Sequence, residues 1–199
     1  MNLKFVINFF GPFAVSTGKA GRSADSTVDD DRPLPETSMK GLMRASAKQL
    51  LIPAQLVNEV FGREGSPSPW NWGPVTFAVQ PVRQMRGRVS IDSETNTAKK
   101  RALAFEEQHW SGSASFDIQL FLPLDPSERQ LHEVILKASA GAVHNLGKNR
   151  RRASGWVAIE PLEPWTQQKR DLFDSVFFLD AQPSISDESP MSNSAVSAQ

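Results

Sequence analysis

The 199-residue chain contains 22 basic and 22 acidic residues, and 39% of its residues are hydrophobic. This composition is sufficient for one hydrophobic core and argues against a protein that holds nucleic acid through net charge alone. The absence of cysteine excludes disulfide frameworks, thiol nucleophiles and thiolate metal sites, and it suits a reducing compartment, the cytoplasm. No apolar run approaches the roughly 20 residues of a membrane-spanning helix, so no membrane partner is expected.

The N-terminal part of the chain predicts a strand, a long loop and a helix. Residues 5–10 are mostly apolar and alternate, which indicates a strand buried on at least one face. Residues 16–35 are rich in Gly, Ser, Asp and Arg without periodicity, and loops of this length are usually functional or disordered. Thr37 or Ser38 is expected to cap a helix that runs to about Leu51.

The middle of the chain predicts a second helix, a loop and a hairpin. A short helix is expected at residues 54–61, and the Pro/Gly/Ser-rich loop after it contains Trp70 and Trp72. These two rings are interpreted as loop anchors in the core, with base stacking as the alternative. A strand is predicted at residues 75–82, and the polar segment 93–100 is expected to be an exposed loop or hairpin tip.

The C-terminal half predicts strands on either side of a helix. Strands are expected at residues 103–105, 116–122 and 157–159. Ser127 and Gln130 fit a capping box at the start of the second main helix. Residues 165–180 are expected to form a final helix or strand that packs onto the body.

The order of these elements is strand, helix, strands, helix, strand. It predicts an α+β fold, a ferredoxin-like or RRM-like βαββαβ domain with large loop insertions. We expect one domain over residues 1–181. Residues 182–199 contain no basic or aromatic side chain and are expected to form a flexible tail, because they cannot offset their ordering entropy by burial.

Basic residues are concentrated in three places. The first helix places Lys40, Arg44 and Lys48 at i, i+4 and i+8, a stripe about 12 Å long. The other clusters hold Arg86 and Arg88, and then Lys148, Arg150, Arg151 and Arg152. Each cluster can bind phosphates without reading sequence, or it can be an ordinary solvated face.

The histidines show no metal-ligand spacing. His132 is expected on the polar side of its helix, at the surface. His144 precedes the third basic cluster and is a candidate RNA contact or acid-base group. The residues around Gly147 also lack the spacing of a nucleotide-binding glycine loop, so no nucleotide or organic cofactor is expected.

The segment LPETSMKGLMR resembles the helix entry of the RAMP superfamily, the repeat-associated mysterious proteins of CRISPR systems. The family hallmark is Pro-x-Ser-Ser-Leu-Lys-Gly-x-x-Arg, and Pro35, Ser38, Lys40, Gly41 and Arg44 match it. Further segments follow in family order: GKAGR with ADSTVDDD, RVSIDSETNTA, SGSASFDIQLFL and LGKNRRRASGWV. The last segment departs from the family pattern, which ends in a Gly-x-Gly pair.

This resemblance implies a ferredoxin-like palm with a thumb-like tip and a role as the guide-RNA-binding backbone subunit of a type III CRISPR effector complex. The implied partners are CRISPR guide RNA, complementary target RNA and copies of the chain or sister RAMP subunits. Thr95, Asn96 and Thr97 would form the tip that wedges between nucleotides. All the basic residues named above would contact the guide RNA.

The family also places a target-cleaving aspartate in an Ile-Asp-Ser-Pro-Val pattern, to which Ala24-Asp25-Ser26-Thr27-Val28 is the nearest counterpart. Asp25 is therefore the first candidate for an endoribonuclease residue, followed by Asp29, Asp30 and Asp31. Their oxygen ligands suit Mg²⁺ or Mn²⁺. The alternative for the acidic run is a solvated segment that is favourable near a helix N-terminus.

Two other functions stay open from the sequence. The chain can be a catalytically inactive or terminal scaffold subunit of the same complex. It can also be a stand-alone CRISPR-RNA processing endoribonuclease, which would use a His or Lys acid-base pair.

Overall fold

The computed structural model describes residues 1–148 and 154–177. The predicted tail at 182–199 and the end of the segment 165–180 lie outside these residues. The helices are α1 (Glu36–Gln49), α2 (Ala54–Phe61), α3 (Pro126–Gly141) and α4 (Gln167–Ser175). The strands are β1 (Asn2–Phe9), β2 (Trp70–Trp72), β3 (Thr76–Phe77), β4 (Val82–Ile91), β5 (Ala98–Trp110), β6 (Ser113–Leu120) and β7 (Val157–Pro161).

The central sheet has the order β2-β6-β1-β7, and the short strand β3 also pairs with β6. Its strand pairs are antiparallel, with Phe5 opposite Phe116 and Ile7 opposite Ile159. The first and last strands of the domain are therefore neighbours, with α1 and α3 as the connecting helices. This arrangement confirms the predicted ferredoxin-like βαββαβ fold.

One face of the central sheet carries the core. Leu3, Phe5, Ile7 and Phe9 alternate along β1 as buried residues, and they form one cluster with apolar side chains of α1 and α3. The rings of Phe5 and Phe116 stack with their centroids 5.0 Å apart. The alternate residues define what we call the open face, which includes Lys4, Val6, Asn8, Ser115, Asp117, Gln119 and Glu160. The aromatic residues of β1, β2 and β6 lie on the core side, unlike the RNA-stacking rings of an RRM sheet.

Strands β4 and β5 form a separate two-stranded sheet, here called the long hairpin, that is inserted before β6. The pairing runs from Val82 opposite Trp110 at its base to Ile91 opposite Ala98 near its tip. In the turn at 92–97, the main-chain N–H of Asp92 donates to the carbonyl of Thr97, and the carbonyl of Asp92 accepts the N–H of Asn96. The predicted exposed tip is thus confirmed as the end of a hairpin.

Both predicted helix caps were wrong. Helix α1 has Pro35 as its N-cap and no side-chain cap, because the extended Pro35 lets its own carbonyl accept the N–H groups of Ser38 and Met39. In α3 the capping box is formed by Asp125 and Glu128 instead of Ser127 and Gln130. Proline occupies the first position of α3, which moves the cap one residue before it.

Trp70 and Trp72 are buried in β2, which confirms their interpretation as core anchors. Trp70 donates its Nε1–H to Nδ1 of His132 at 3.1 Å, and His132 is 4% exposed. The prediction of a surface His132 was therefore wrong: its side of α3 is covered by the loop that carries β2. Burial lowers the pKa of His132 below its usual value.

A charge cluster centred on the buried Lys137 attaches α4 to the domain. Lys137 of α3 is 1% exposed and contacts the carboxylates of Glu133 and Glu163, each at 2.7 Å. Lys169 of α4 contacts both of those carboxylates. The segment predicted as helix or strand is a helix in its described part, and these ion pairs orient it against α3.

Candidate nucleic-acid interface

The loop that carries Asp25 is fixed along β5 of the long hairpin. The main-chain N–H of Asp25 donates to the carbonyl of Phe105 at 2.7 Å, and Oδ2 of Asp25 accepts the N–H of Phe105 at 2.8 Å. The carbonyl of Ser26 accepts the N–H of Glu107 at 2.9 Å. This short pairing is an isolated parallel bridge between Ser26 and Glu106, and it holds the exposed Asp25 beside β5.

The acidic residues that follow this bridge make different contacts at each position. Oδ1 of Asp29 accepts the N–H groups of Asp31 and Arg32, which closes a tight turn. Asp30 contacts Nε2 of the buried His109 at 2.9 Å. These contacts anchor the loop to the base of the long hairpin, where Phe13 and His109 also exchange two main-chain hydrogen bonds.

The acidic side chains do not form a preorganised metal site. In the residues that the structure describes, no three carboxylate or imidazole groups come together. One oxygen each of Asp25 and Asp29 already accepts main-chain N–H groups, and Asp30 faces His109 and Arg83. Mg²⁺ or Mn²⁺ at this loop stays a prediction.

Of the three basic side chains along α1, two contact neighbouring elements and one is exposed to solvent. The Nζ of Lys40 lies 5.0 Å from the centroid of Trp72, and burial together with Arg44 lowers the pKa of Lys40. Nη2 of Arg44 donates to Asn58 of α2 at 2.9 Å. Lys48, in the last turn of α1, is exposed. Lys40 and Arg44, two of the three cations predicted to bind phosphate, therefore contact β2 and α2.

The second and third basic clusters meet at Glu106 of β5. Oε2 of Glu106 accepts Nη1 of Arg88 at 2.9 Å, and Oε1 lies 3.1 Å from Nζ of Lys148. Arg86 is directly opposite Glu106 in the hairpin register. One carboxylate of β5 thus gathers cations from two segments that are far apart in the sequence.

The segment 144–156, here called the glycine loop, is described at 144–148 and 154–156. Gly147 and Gly155 have φ angles of 79° and 74°, which side chains rarely adopt. The N–H groups of Lys148 and Gly155 donate to the carbonyls of Ala14 and Pro12 at 2.7 and 2.8 Å. A side chain on either glycine would clash with a carbonyl, so the two glycines bring this loop onto residues 12–14. The predicted contacts Arg150, Arg151 and Arg152 lie outside the described residues.

A groove runs between α1 and the glycine loop. One part encloses about 310 Å³ and is lined by Leu42, Ala45, Gln49, Val143 and His144, among others. A second pocket shares the lining residues Leu42 and Ala45 with the first, so the two are adjacent, and it reaches Ser38, Gly41 and Gly147. Small side chains along the exposed side of α1 leave main-chain atoms accessible to a ligand that follows the groove.

The predicted tip residues lie at the far end of the long hairpin. Thr95, Asn96 and Thr97 are exposed, and the hydroxyls of Thr95 and Thr97 are 2.9 Å apart. Oδ1 of Asp92 accepts the N–H groups of Glu94 and Thr95, and these hydrogen bonds lower the pKa of Asp92. The tip is thus a formed turn that presents three short polar side chains.

A comparison with protein-family models shows which family this chain belongs to. The model of the RAMP superfamily matches residues 16–158, which is well over half of the chain and includes the acidic loop, α1, the long hairpin and the glycine loop. The chain belongs to the RAMP superfamily. Membership assigns this RAMP protein to CRISPR-associated RNA binding. No curated protein matches the sequence.

Sequence reasoning missed Glu106 as a residue of this interface. Glu106 lies in a run of polar residues, and its two cationic partners follow only from the hairpin register and the path of the glycine loop. Within the described residues, no helix is long and apolar enough to cross a membrane.

Proposed function

We propose that this RAMP protein is a guide-RNA-binding backbone subunit of a type III CRISPR effector complex, and that Asp25 takes part in cleaving the bound target RNA. The observation that carries the proposal is the pairing of the Asp25 loop with β5 of the long hairpin. It joins a candidate cleavage residue to the element that carries Arg86 and Arg88.

The guide RNA is proposed to follow the groove between α1 and the glycine loop. Lys148 at the glycine loop and Lys48 at the end of α1 are exposed and supply positive charge, while the exposed Gly41 and Ala45 leave room for the sugar-phosphate chain. Contacts of this kind give affinity that depends on salt and is independent of base sequence. The long hairpin would then cross the guide with its polar tip at residues 95–97.

Cleavage by this chain requires a group that removes a proton from the RNA. In the proposed step, the Asp25 carboxylate takes the proton of a 2'-hydroxyl, and the 2'-oxygen attacks the adjacent phosphorus. The bond from phosphorus to the 5'-oxygen breaks, and that oxygen takes a proton from water. The products are a 2',3'-cyclic phosphate and a 5'-hydroxyl. The hydrogen bond from Phe105 to Oδ2 fixes the direction of the carboxylate.

The experiment is target cleavage by the purified complex that contains Asp25→Asn. Asparagine keeps an oxygen that can accept the Phe105 N–H, but it cannot serve as a base at neutral pH. We expect guide binding and assembly to be unchanged and target cleavage to be lost. Glu64→Gln, at an exposed turn after α2, is the charge-matched control and should cleave as the wild type does.

Other outcomes separate the alternatives. Cleavage at the same positions by the Asp25→Asn complex would remove Asp25 from the reaction and leave an inactive or terminal scaffold role. Cutting of unprocessed repeat RNA by the isolated chain without metal would favour a stand-alone processing enzyme. Electron microscopy of the complex that shows no row of equal subunits along one RNA would contradict the backbone role.

A further inference from the structure

Two exposed aromatic residues lie side by side at one end of the central sheet. Phe10 is 67% exposed and Trp156 is 56% exposed. The register of β1 and β7 places Phe9 opposite Val157, and the N–H of Phe10 donates to the carbonyl of Trp156 at 2.9 Å. The pairing therefore continues by one residue. Directly opposite residues of an antiparallel pair have Cβ atoms about 5 Å apart on the same face.

The two rings belong to the open face of the sheet. Phe9 and Val157 are buried on the core side, and successive strand residues point to opposite faces. The next pair on the open face is Asn8 with Ala158, and Asn8 also lies opposite Ser113. Small and polar side chains thus adjoin the rings.

This environment suits a flat polar ligand better than a protein surface. Large contiguous apolar patches mark protein interfaces, whereas this aromatic pair is followed by Asn8, Ala158 and Ser113. Nucleobases have apolar faces and polar edges, and proteins that bind single-stranded RNA stack them on aromatic rings. Amide and hydroxyl groups beside the rings can bond to base edges.

We propose that Phe10 and Trp156 form a stacking platform for unpaired bases of the RNA that this chain binds. Trp156 lies at the end of the glycine loop. On its other side, Trp156 pairs with Asn145, which lines the groove together with His144. The inference rests on the proposed RNA-binding function and adds a contact to bases where the cations contact only phosphates.

The test compares two labelled single strands by fluorescence anisotropy with the full chain: an oligoadenylate and an abasic oligomer of equal length. The abasic strand keeps the phosphates and lacks the bases. Phe10→Ala and Trp156→Ala are each expected to weaken oligoadenylate binding by roughly 5- to 150-fold, the range for loss of one stacked base. Their affinity for the abasic strand should match that of the wild type.

Matched variants make the result specific. Phe121 is 77% exposed and lies at the opposite end of the sheet, so Phe121→Ala should leave both affinities unchanged. Trp156→Phe retains a ring and should stay within a few-fold of the wild type. Circular dichroism of each variant checks that the fold is retained.

Three outcomes overturn the inference in distinguishable ways. Equal loss for both strands in the alanine variants would mean that the pair acts on the backbone path and not on bases. Unchanged binding with lost subunit assembly would assign the pair to a protein neighbour. Failure of the wild type, in the assembled complex as well as alone, to bind either strand would overturn the proposed function together with the platform.

Discussion

The Asp25 carboxylate accepts a hydrogen bond from the main-chain N–H of Phe105, which lies 80 positions further along the chain, at 2.8 Å. The same two residues also share the main-chain bond from Asp25 to the Phe105 carbonyl. The side chain proposed for cleavage therefore also secures its own loop. Structural and chemical roles of Asp25 must be separated by different substitutions.

Asp25→Ala is expected to lower the free energy of unfolding by about 1 kcal/mol, the usual net value of one hydrogen bond. Asp25→Asn should lie closer to the wild type because its amide oxygen can accept the same N–H. Urea unfolding of the isolated chain measures both. Equal stability of the two variants would show that Oδ2 does not hold the loop. Asp31→Ala, at an exposed position of the same loop, serves as the control.

The glycine loop predicts a second stability difference. Gly147→Ala and Gly155→Ala should each lower the unfolding free energy by about 1–3 kcal/mol or more, because a side chain is strained at positive φ and meets the carbonyl of Ala14 or Leu146. Gly112→Ala has open space around the new Cβ and should change stability by less than about 0.5 kcal/mol. Thermal or urea unfolding compares the three. A Gly155 variant as stable as the Gly112 variant would contradict the described loop path.

The burial of His132 predicts that the stability of the fold decreases as the pH is lowered. Because burial lowers its pKa in the folded chain, the unfolded chain binds more protons once the pH falls below the ordinary histidine value of about 6.5. The stability that comes from the neutral ring is present above that value and is lost as the pH falls toward the lowered pKa. His132→Gln keeps an acceptor for Trp70 and should lose this part of the pH dependence. The exposed His144→Gln should keep it, and a slope that survives in His132→Gln would point to another group.

Glu106 predicts a gain in RNA affinity. Its carboxylate lies against Arg88 and Lys148, so Glu106→Gln removes a negative charge from between two proposed phosphate ligands. We expect binding of a single-stranded RNA to tighten by a few-fold at low salt and to depend more steeply on salt concentration. Glu64→Gln, at an exposed turn after α2, is the charge-matched control. Weaker binding in Glu106→Gln would mean that the carboxylate orients the cations.

The sequence predicted those features that depend on local pattern. The alternation of β1 and the polar tip of the long hairpin formed as expected, since periodicity and turn chemistry act over a few residues. The exposure of His132 and Lys137 was decided by distant segments, β2 in one case and the segment after β7 in the other. No local pattern indicates such partners.

The same distinction between local patterns and distant contacts applies to the candidate site. The motif at residues 35–44 located α1 and identified its cations, but the stripe pattern could not show that Trp72 and Asn58 occupy two of them. The segment around Asp25 was found by resemblance, while its pairing with Phe105 depends on the register of a hairpin that begins far along the chain. The spacing of residues within one helix can be predicted from the sequence, whereas contacts between distant loops cannot.

The long hairpin leaves and re-enters the domain at adjacent points, because Val82 is opposite Trp110. Its reach can therefore change by pairs of residues, one on each strand, without shifting any strand of the central sheet. The length of the hairpin and the architecture of the central sheet are therefore independent, so added or removed residue pairs change only how far the hairpin extends from the body of the domain.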